Sequence, residues 1–258
     1  MSEIEMKIAI IAAMEREVRP LIRGWKVRTI EQGGRGYRLF EDGDAVLVCG
    51  GIGAEAARRA TEAVIREVGP VRVISVGFAG ALDGSLAVGQ VLEPRTVISA
   101  ADGARTEVGS GEGILVSSAT VAGKEQKIRL GKAYGATAVD MEAAAVAQGA
   151  EARGVQFGAL KAISDAADFS MPAMDRFVAD DGTFHSVKFA CHVALRPWLW
   201  GTTIALARNS SKASRALCGA VASYLERPAF CRDGACPVSS AAGDGARRVS
   251  TGVGIGNR

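Results

Sequence analysis

The sequence predicts a single α/β domain built on a largely covered central sheet. Three observations carry that expectation. Short β-branched, apolar segments alternate along the chain with alanine-rich segments of helical period. Several of the strand-like segments are apolar on both faces, as in KIAIIAA (7–13), which is how a strand covered on both sides reads. No second hydrophobic block is set apart by a linker, so residues 1–226 are expected to form one unit.

The elements follow in order. Lys7–Ala13 is a central strand, and Met14–Arg23 is helical or loop, stopping at Gly24. Tyr37–Phe40 and Ala45–Cys49 pair across the turn signal Glu41-Asp42-Gly43-Asp44. Gly50–Gly53 breaks the second of them. Ala54–Val68 is a helix with Ala57, Ala60, Val64 and Val68 on one face, closed by Gly69-Pro70. Val71–Val76 is a buried strand expected to end in the turn Gly77–Gly80. Gln90–Ser99 and Gly113–Ser117 are strands, Lys124–Tyr134 an amphipathic helix, Ala138–Val139 a short strand and Met141–Arg153 a helix. Val155–Ile163 is the last strand, and the chain to about Leu225 is mostly helical, interrupted at Arg196-Pro197. From Arg227 the composition shifts to Gly, Ala, Ser and Arg without periodicity, so 227–258 is expected to be a flexible tail.

Composition narrows the function. The chain of 258 residues is 48% hydrophobic, with mean hydropathy +0.15. That describes a globular chain with a sizeable core. A net charge of +3, from 31 basic and 28 acidic residues, is too balanced for a dedicated nucleic-acid binder. No apolar run reaches membrane-spanning length, and the first one lacks the basic flank of a secretory signal, so the expected location is the cytoplasm. Cys49, Cys191, Cys218, Cys231 and Cys236 form no ligand spacing, and with two histidines no metal site is expected. Thirty-two glycines with only 5% aromatics point to tight turns and close backbone approaches.

In α/β sheets, ligands collect at the carboxyl ends of strands. Four such ends carry unusual residues: Met14, Glu15 and Glu17; Gly50–Gly53; Gly77–Leu82; and Ser164-Asp165. Glu142 opens a helix near them. Each also has a plain structural reading. Glu15 and Glu17 suit a helix first turn, Asp165 and Glu142 suit helix starts, and glycine clusters suit ordinary turns.

The set as a whole resembles the nucleoside phosphorylase/nucleosidase superfamily, and most closely the 5′-methylthioadenosine/S-adenosylhomocysteine nucleosidases. The matching residues are KIAIIAAMEREV (7–18), CGGIGAEAA (49–57), VISVGFAGAL (73–82), VGQV (88–91), AVDMEAAAVA (138–147) and AISDAAD (162–168), in the family's order. The resemblance implies a three-layer αβα domain with a mixed sheet, phosphorylase/hydrolase-like, that takes a small purine nucleoside. It also implies pairing of two copies into a homodimer, and no cofactor. Asp165 would protonate the leaving base, with Ser164 orienting it. Glu17 would activate the attacking water, and Glu142 would bind the ribose hydroxyls. Met14, Ile52, Phe78, Ala79, Gly80, Val121, Ala122 and Met141 would line the pocket.

The chain departs from that family at several points. Phe78 replaces a small polar residue, which disfavours a phosphate site. The phenylalanine that stacks on adenine is absent, with Val121 and Ala122 near its place. The stretch between Ser99 and Gly113 is shortened, which predicts a more open pocket.

HVALRPWLWGTTIALARNSSKASRAL (192–217) does not match a nucleosidase ending. One reading is a helix pair over the sheet edge with Trp198 and Trp200 as core. The other is an apolar surface over 196–206 that meets lipid or an apolar substrate. The segment resembles hopanoid-associated members of the superfamily, linked to adenine removal from adenosylhopane. The expected function is hydrolytic release of adenine from an adenosine-type nucleoside. The alternatives are an apolar adenosyl substrate, a phosphate-dependent phosphorylase, and a nucleoside-binding module without catalysis.

Overall fold

The computed structural model describes residues 7–109, 111–169, 177–179 and 182–227. The tail expected over 227–258 lies, apart from Arg227, outside the described residues, as do Cys231 and Cys236.

Among the described residues, eleven strands form one mixed sheet. Its backbone is β1 (Ile8–Ala12), flanked by β4 (Ala45–Cys49) and β5 (Arg72–Ala81), both parallel to it. Beyond β4 the sheet continues antiparallel through β3 (Arg35–Asp42) to β2 (Lys26–Gln32) at the edge. Beyond β5 it forks. Arg72–Gly80 of β5 pairs in parallel with β11 (Gln156–Asp165), which in turn carries the short antiparallel β6 (Val91–Leu92). The end of β5 pairs antiparallel with β10 (Ala138–Asp140), and from there the order runs β9 (Ile114–Ser117), β7 (Thr96–Ser99) and β8 (Arg105–Glu107).

The layers follow from side-chain alternation in β1. Ile8, Ile10 and Ala12 pack with Val18 of α1 (Glu15–Val18) and with Leu217 and Val221 of the long helix α6 (Trp200–Glu226). Ala9 and Ile11 point the other way, onto α2 (Ala54–Val68) and α4 (Ala143–Glu151). Helices on both faces explain why the strand is apolar throughout. Helix α3 (Lys124–Tyr134) covers a smaller core around Ile98, Val116 and Val139. Helix α5 (Ser186–Ala194) and a 3-10 turn at Pro197–Leu199 lead into α6, and the break falls at Arg196-Pro197.

Several expectations are corrected. Gly77–Gly80 is no turn, because β5 runs through it to Ala81. The expected strand Gln90–Ser99 is two short strands separated at Pro94. The edge strands β2 and β8 were not expected. Most of their residues are exposed, so they carry no buried alternation to read. Trp198 and Trp200 are not core, being 74% and 50% exposed. The first half of α6 buries no residue. Its packed face begins at Ala213 and runs through Leu217, Val221 and Tyr224, where the helix meets β11. Among the described residues no helix is long and apolar enough to cross a membrane.

Candidate active site

The carboxyl ends of β1, β4, β5, β10 and β11 open onto one cavity of about 1230 Å³. All the residues that the resemblance assigns to the site line it. Met14 and Glu17 come from the first strand end and Ile52 from the glycine turn. Phe78, Ala79 and Gly80 come from β5, Val121 and Ala122 from the approach to α3, Met141 and Glu142 from the start of α4, and Ser164 and Asp165 from β11.

Glu17 is fixed by its helix and by the C-terminal one. Its carbonyl accepts a hydrogen bond from Ser214 Oγ of α6 at 2.8 Å, so the far end of the chain holds the first strand's loop in place. Its side chain is buried, and among the described residues Oε2 has no hydrogen-bond partner. Burial, reinforced by the charge of Glu142, pushes its carboxyl up to about 8. Glu15 also lines the cavity, but its side chain is 44% exposed and paired with Arg38 at 2.6 Å, so of the two loop glutamates only Glu17 is buried there.

Glu142 stands at the N-cap position of α4 without capping it. Instead Oε1 accepts from the Gly53 N–H at 2.8 Å, tying α4 to the glycine turn after β4. Gly53 adopts φ +94°, a conformation that glycine tolerates and other residues rarely adopt. Burial and the neighbouring Asp140 charge raise the Glu142 carboxyl, against the opposing pull of Lys161.

Asp165 owes its position to a bulge. Ile163 pairs with Ala79 and Asp165 with Gly80, so Ser164 is the extra residue in the β11 ladder. Ser164 Oγ donates to Asp165 Oδ1 at 2.6 Å. Asp165 is the last residue of its strand, not a helix cap. A Cβ at Gly80 would lie 2.9 Å from Asp165 Oδ2, and one at Gly77 would lie 3.2 Å from Glu17 Oε2. These two glycines therefore shape the cavity by leaving room beside a strand rather than by turning the chain.

Three polar residues of this site escaped the sequence reading. Lys161, 1% exposed, pairs with the fully buried Asp140 at 2.9 Å and donates to Ser75 Oγ at 3.0 Å. Asp140 also accepts from Ser117 Oγ at 2.5 Å and from the Ala143 N–H at 2.9 Å, so the buried pair is well satisfied. Lys127, 2% exposed, donates to Asp165 Oδ2 and to the Ala166 carbonyl, the latter at 2.7 Å. A lysine inside the apolar run VQFGALKAI (155–163) was a readable signal for Lys161. Lys127 gave none, because its neighbour Ile128 holds the apolar position yet is 50% exposed.

The aromatic wall also differs from expectation. Phe184 and Phe189 line the cavity together with Phe78 and Trp25. The stretch around Gly182 is brought there by the Gly182 carbonyl, which accepts from the Ile52 N–H at 2.8 Å. Arg16 lies over the Phe184 ring at 5.2 Å.

A mixed α/β sheet whose strand ends converge on three carboxylates around a large cavity defines an enzyme of the nucleosidase and nucleoside phosphorylase class. A family model described as the phosphorylase superfamily matches residues 7–119 and 108–185, and the chain belongs to that family. Solved structures agree on the fold. The 5′-methylthioadenosine/S-adenosylhomocysteine nucleosidase of Colwellia psychrerythraea, in complex with adenine, is 26% identical, with a TM-score of 0.57 over 63% of this chain and 83% of that one. The S-adenosylhomocysteine nucleosidase of Streptococcus pyogenes, in complex with 5-methylthiotubericidin, is 20% identical, with a TM-score of 0.65 over 88% and 98%. The futalosine hydrolase of Helicobacter pylori is 21% identical, with a TM-score of 0.62 over 86% and 100%.

Proposed function

We propose that this protein hydrolyses the N-glycosidic bond of an adenosine-type nucleoside and releases the free base. The observation that carries the reading is Glu17. It is a buried carboxyl without a hydrogen-bond partner among the described residues, raised to about 8, on the wall of a cavity that also holds Glu142 and Asp165. A carboxyl titrating near neutral pH is suited to take a proton from water.

In this reading the base leaves as the C1′–N9 bond breaks and its electron pair moves into the purine. Asp165 delivers a proton to N7, which makes the purine a neutral leaving group. Positive charge builds on the ribose ring, and Glu142 holds the sugar hydroxyls with hydrogen bonds that strengthen as that charge develops. Water adds to C1′ and gives its proton to Glu17. Phe78 stands where a phosphate site would want a hydroxyl, which favours water over phosphate as the acceptor.

The test is adenine release from methylthioadenosine with and without inorganic phosphate. Release without phosphate supports hydrolysis, and strict phosphate dependence moves the protein to the phosphorylases. Asp165→Asn should abolish most turnover with the fold intact, and Glu142→Ala should lower kcat/KM through sugar recognition. Tight nucleoside binding by calorimetry without base release would instead mark a binding module. Light scattering tests whether two copies pair.

A second reading concerns the 5′ group. The cavity is larger than a nucleoside requires, and its outer part carries Leu206 and Phe189. Trp198, Trp200 and Ile204 are exposed on the adjoining 3-10 turn and start of α6. Such a mouth suits an adenosyl substrate with a bulky apolar 5′ substituent. A panel of adenosine derivatives graded in 5′ size and hydrophobicity tests it, since a preference for small 5′ groups removes this reading.

A further inference from the structure

Resting on the proposed hydrolysis, we infer that Lys127 is the proton source for base departure and that Asp165 relays its proton. Around Asp165, each side-chain oxygen receives a donor from the protein. Ser164 Oγ donates to Oδ1 at 2.6 Å, and the Lys127 ammonium donates to Oδ2. Among the described residues the other contact of that ammonium is the Ala166 carbonyl at 2.7 Å, which accepts and cannot supply a proton. An Asp165 carboxylic acid could not carry its O–H on Oδ2, which faces the donor-only ammonium, and on Oδ1 it would leave Ser164 Oγ with only the Ala79 carbonyl to donate to, at a long 3.4 Å. The arrangement instead fits a carboxylate paired with an ammonium, and the labile proton at this end of the cavity sits on Lys127.

The fold builds this contact at some cost. Lys127 and Asp165 form an ion pair almost fully removed from water, with side chains 2% and 5% exposed. Helix α3 buries Lys127 while leaving Ile128 half exposed, against the hydrophobic order of the two residues. Gly80 supplies the space, since a Cβ there would lie 3.1 Å from Lys127 Cε as well as against Asp165. Both partners also line the cavity. A buried pair has little to offer stability over an apolar replacement, so its placement beside the reacting base points to chemistry.

The step balances as follows. As the C1′–N9 bond breaks, Asp165 gives a proton to N7 and takes one from Lys127, which becomes a neutral amine. The proton that Glu17 removes from the attacking water passes to solvent, and solvent returns one to Lys127. The net reaction remains nucleoside plus water to base plus sugar.

The experiment compares two substrates in wild type, Lys127→Met, Lys127→Arg and Asp165→Asn. Methylthioadenosine needs its leaving group protonated, whereas 4-nitrophenyl riboside releases a stable anion. Arginine keeps the positive charge and the pairing geometry but does not give up its proton. The expected result is a loss of about 100-fold or more in kcat on methylthioadenosine for both Lys127 variants. On the nitrophenyl substrate their turnover should stay within about threefold of wild type, as general-acid help is not needed there. Near-wild-type turnover of methylthioadenosine by Lys127→Arg overturns the inference and leaves only a charge pair. Equal losses on both substrates overturn it as well, since a merely structural lysine would give that pattern. The hydrolysis reading fails separately, if wild type cleaves neither substrate or if Asp165→Asn shows no such split.

Discussion

Replacing Glu17 by glutamine should stabilise the protein at alkaline pH while removing its turnover. Glutamine is close in shape to the protonated acid and carries no charge into the buried site. The magnitude follows from the raised carboxyl. A group at 4.5 in the unfolded chain and about 8 in the fold binds its proton more tightly when folded. Its contribution is therefore fully present below pH 4.5 and is lost as pH rises through about 8. At 1.36 kcal/mol per pH unit, the wild type gives up about 1 kcal/mol at pH 5 and about 5 kcal/mol by pH 9. Glutamine does not titrate, so the variant's advantage should grow by about 4 kcal/mol between those pH values. Urea denaturation at pH 5, 7 and 9, followed by tryptophan fluorescence, measures it. An advantage that does not change with pH, or a variant less stable than wild type at pH 9, would refute the argument that Glu17 is held in the fold as a strained buried carboxyl.

Three other outcomes are expected. The kcat/KM of the wild type should rise with pH toward about 8, as Glu17 ionises, and a flat profile from pH 6 to 8 would remove it as the base. Lys161→Met should cost about 3–5 kcal/mol by stranding the buried Asp140, and adding Asp140→Asn should recover part of the loss in a denaturation double-mutant cycle. Gly50→Ala places a Cβ 2.7 Å from that of Ala60 and 2.9 Å from the Ala56 carbonyl, so it should destabilise by about 1–3 kcal/mol. Gly123→Ala, with open space at its Cβ position, is the matched control and should fall within about 0.5 kcal/mol of wild type.

Much of the fold is legible in the sequence because burial imposes period. β1 and β4 read as strands since both of their faces are covered, and α2 reads as a helix since Ala57, Ala60 and Val64 face the sheet. β2 and β8 are not legible, because exposed edge strands have no face that must be apolar. The carboxylates are legible as candidates only through their positions after apolar strands and the motifs around them. Neither Lys127 nor the Phe184 and Phe189 wall could be read. Which residues meet them depends on the path of the chain between distant segments.

By itself, then, the sequence determined an α/β chain with carboxylates at several strand ends, since local period and turn chemistry are properties of neighbouring residues. Tertiary structure decided the chemistry of those carboxylates. Glu17 is held by Ser214, 197 positions away, and is raised by burial that no neighbouring residue specifies. Asp165 is turned by a bulge opposite Gly80 and meets a lysine from another layer. Desolvation and ion pairing act through space over a few ångströms, and only the folded chain sets which groups lie within that reach.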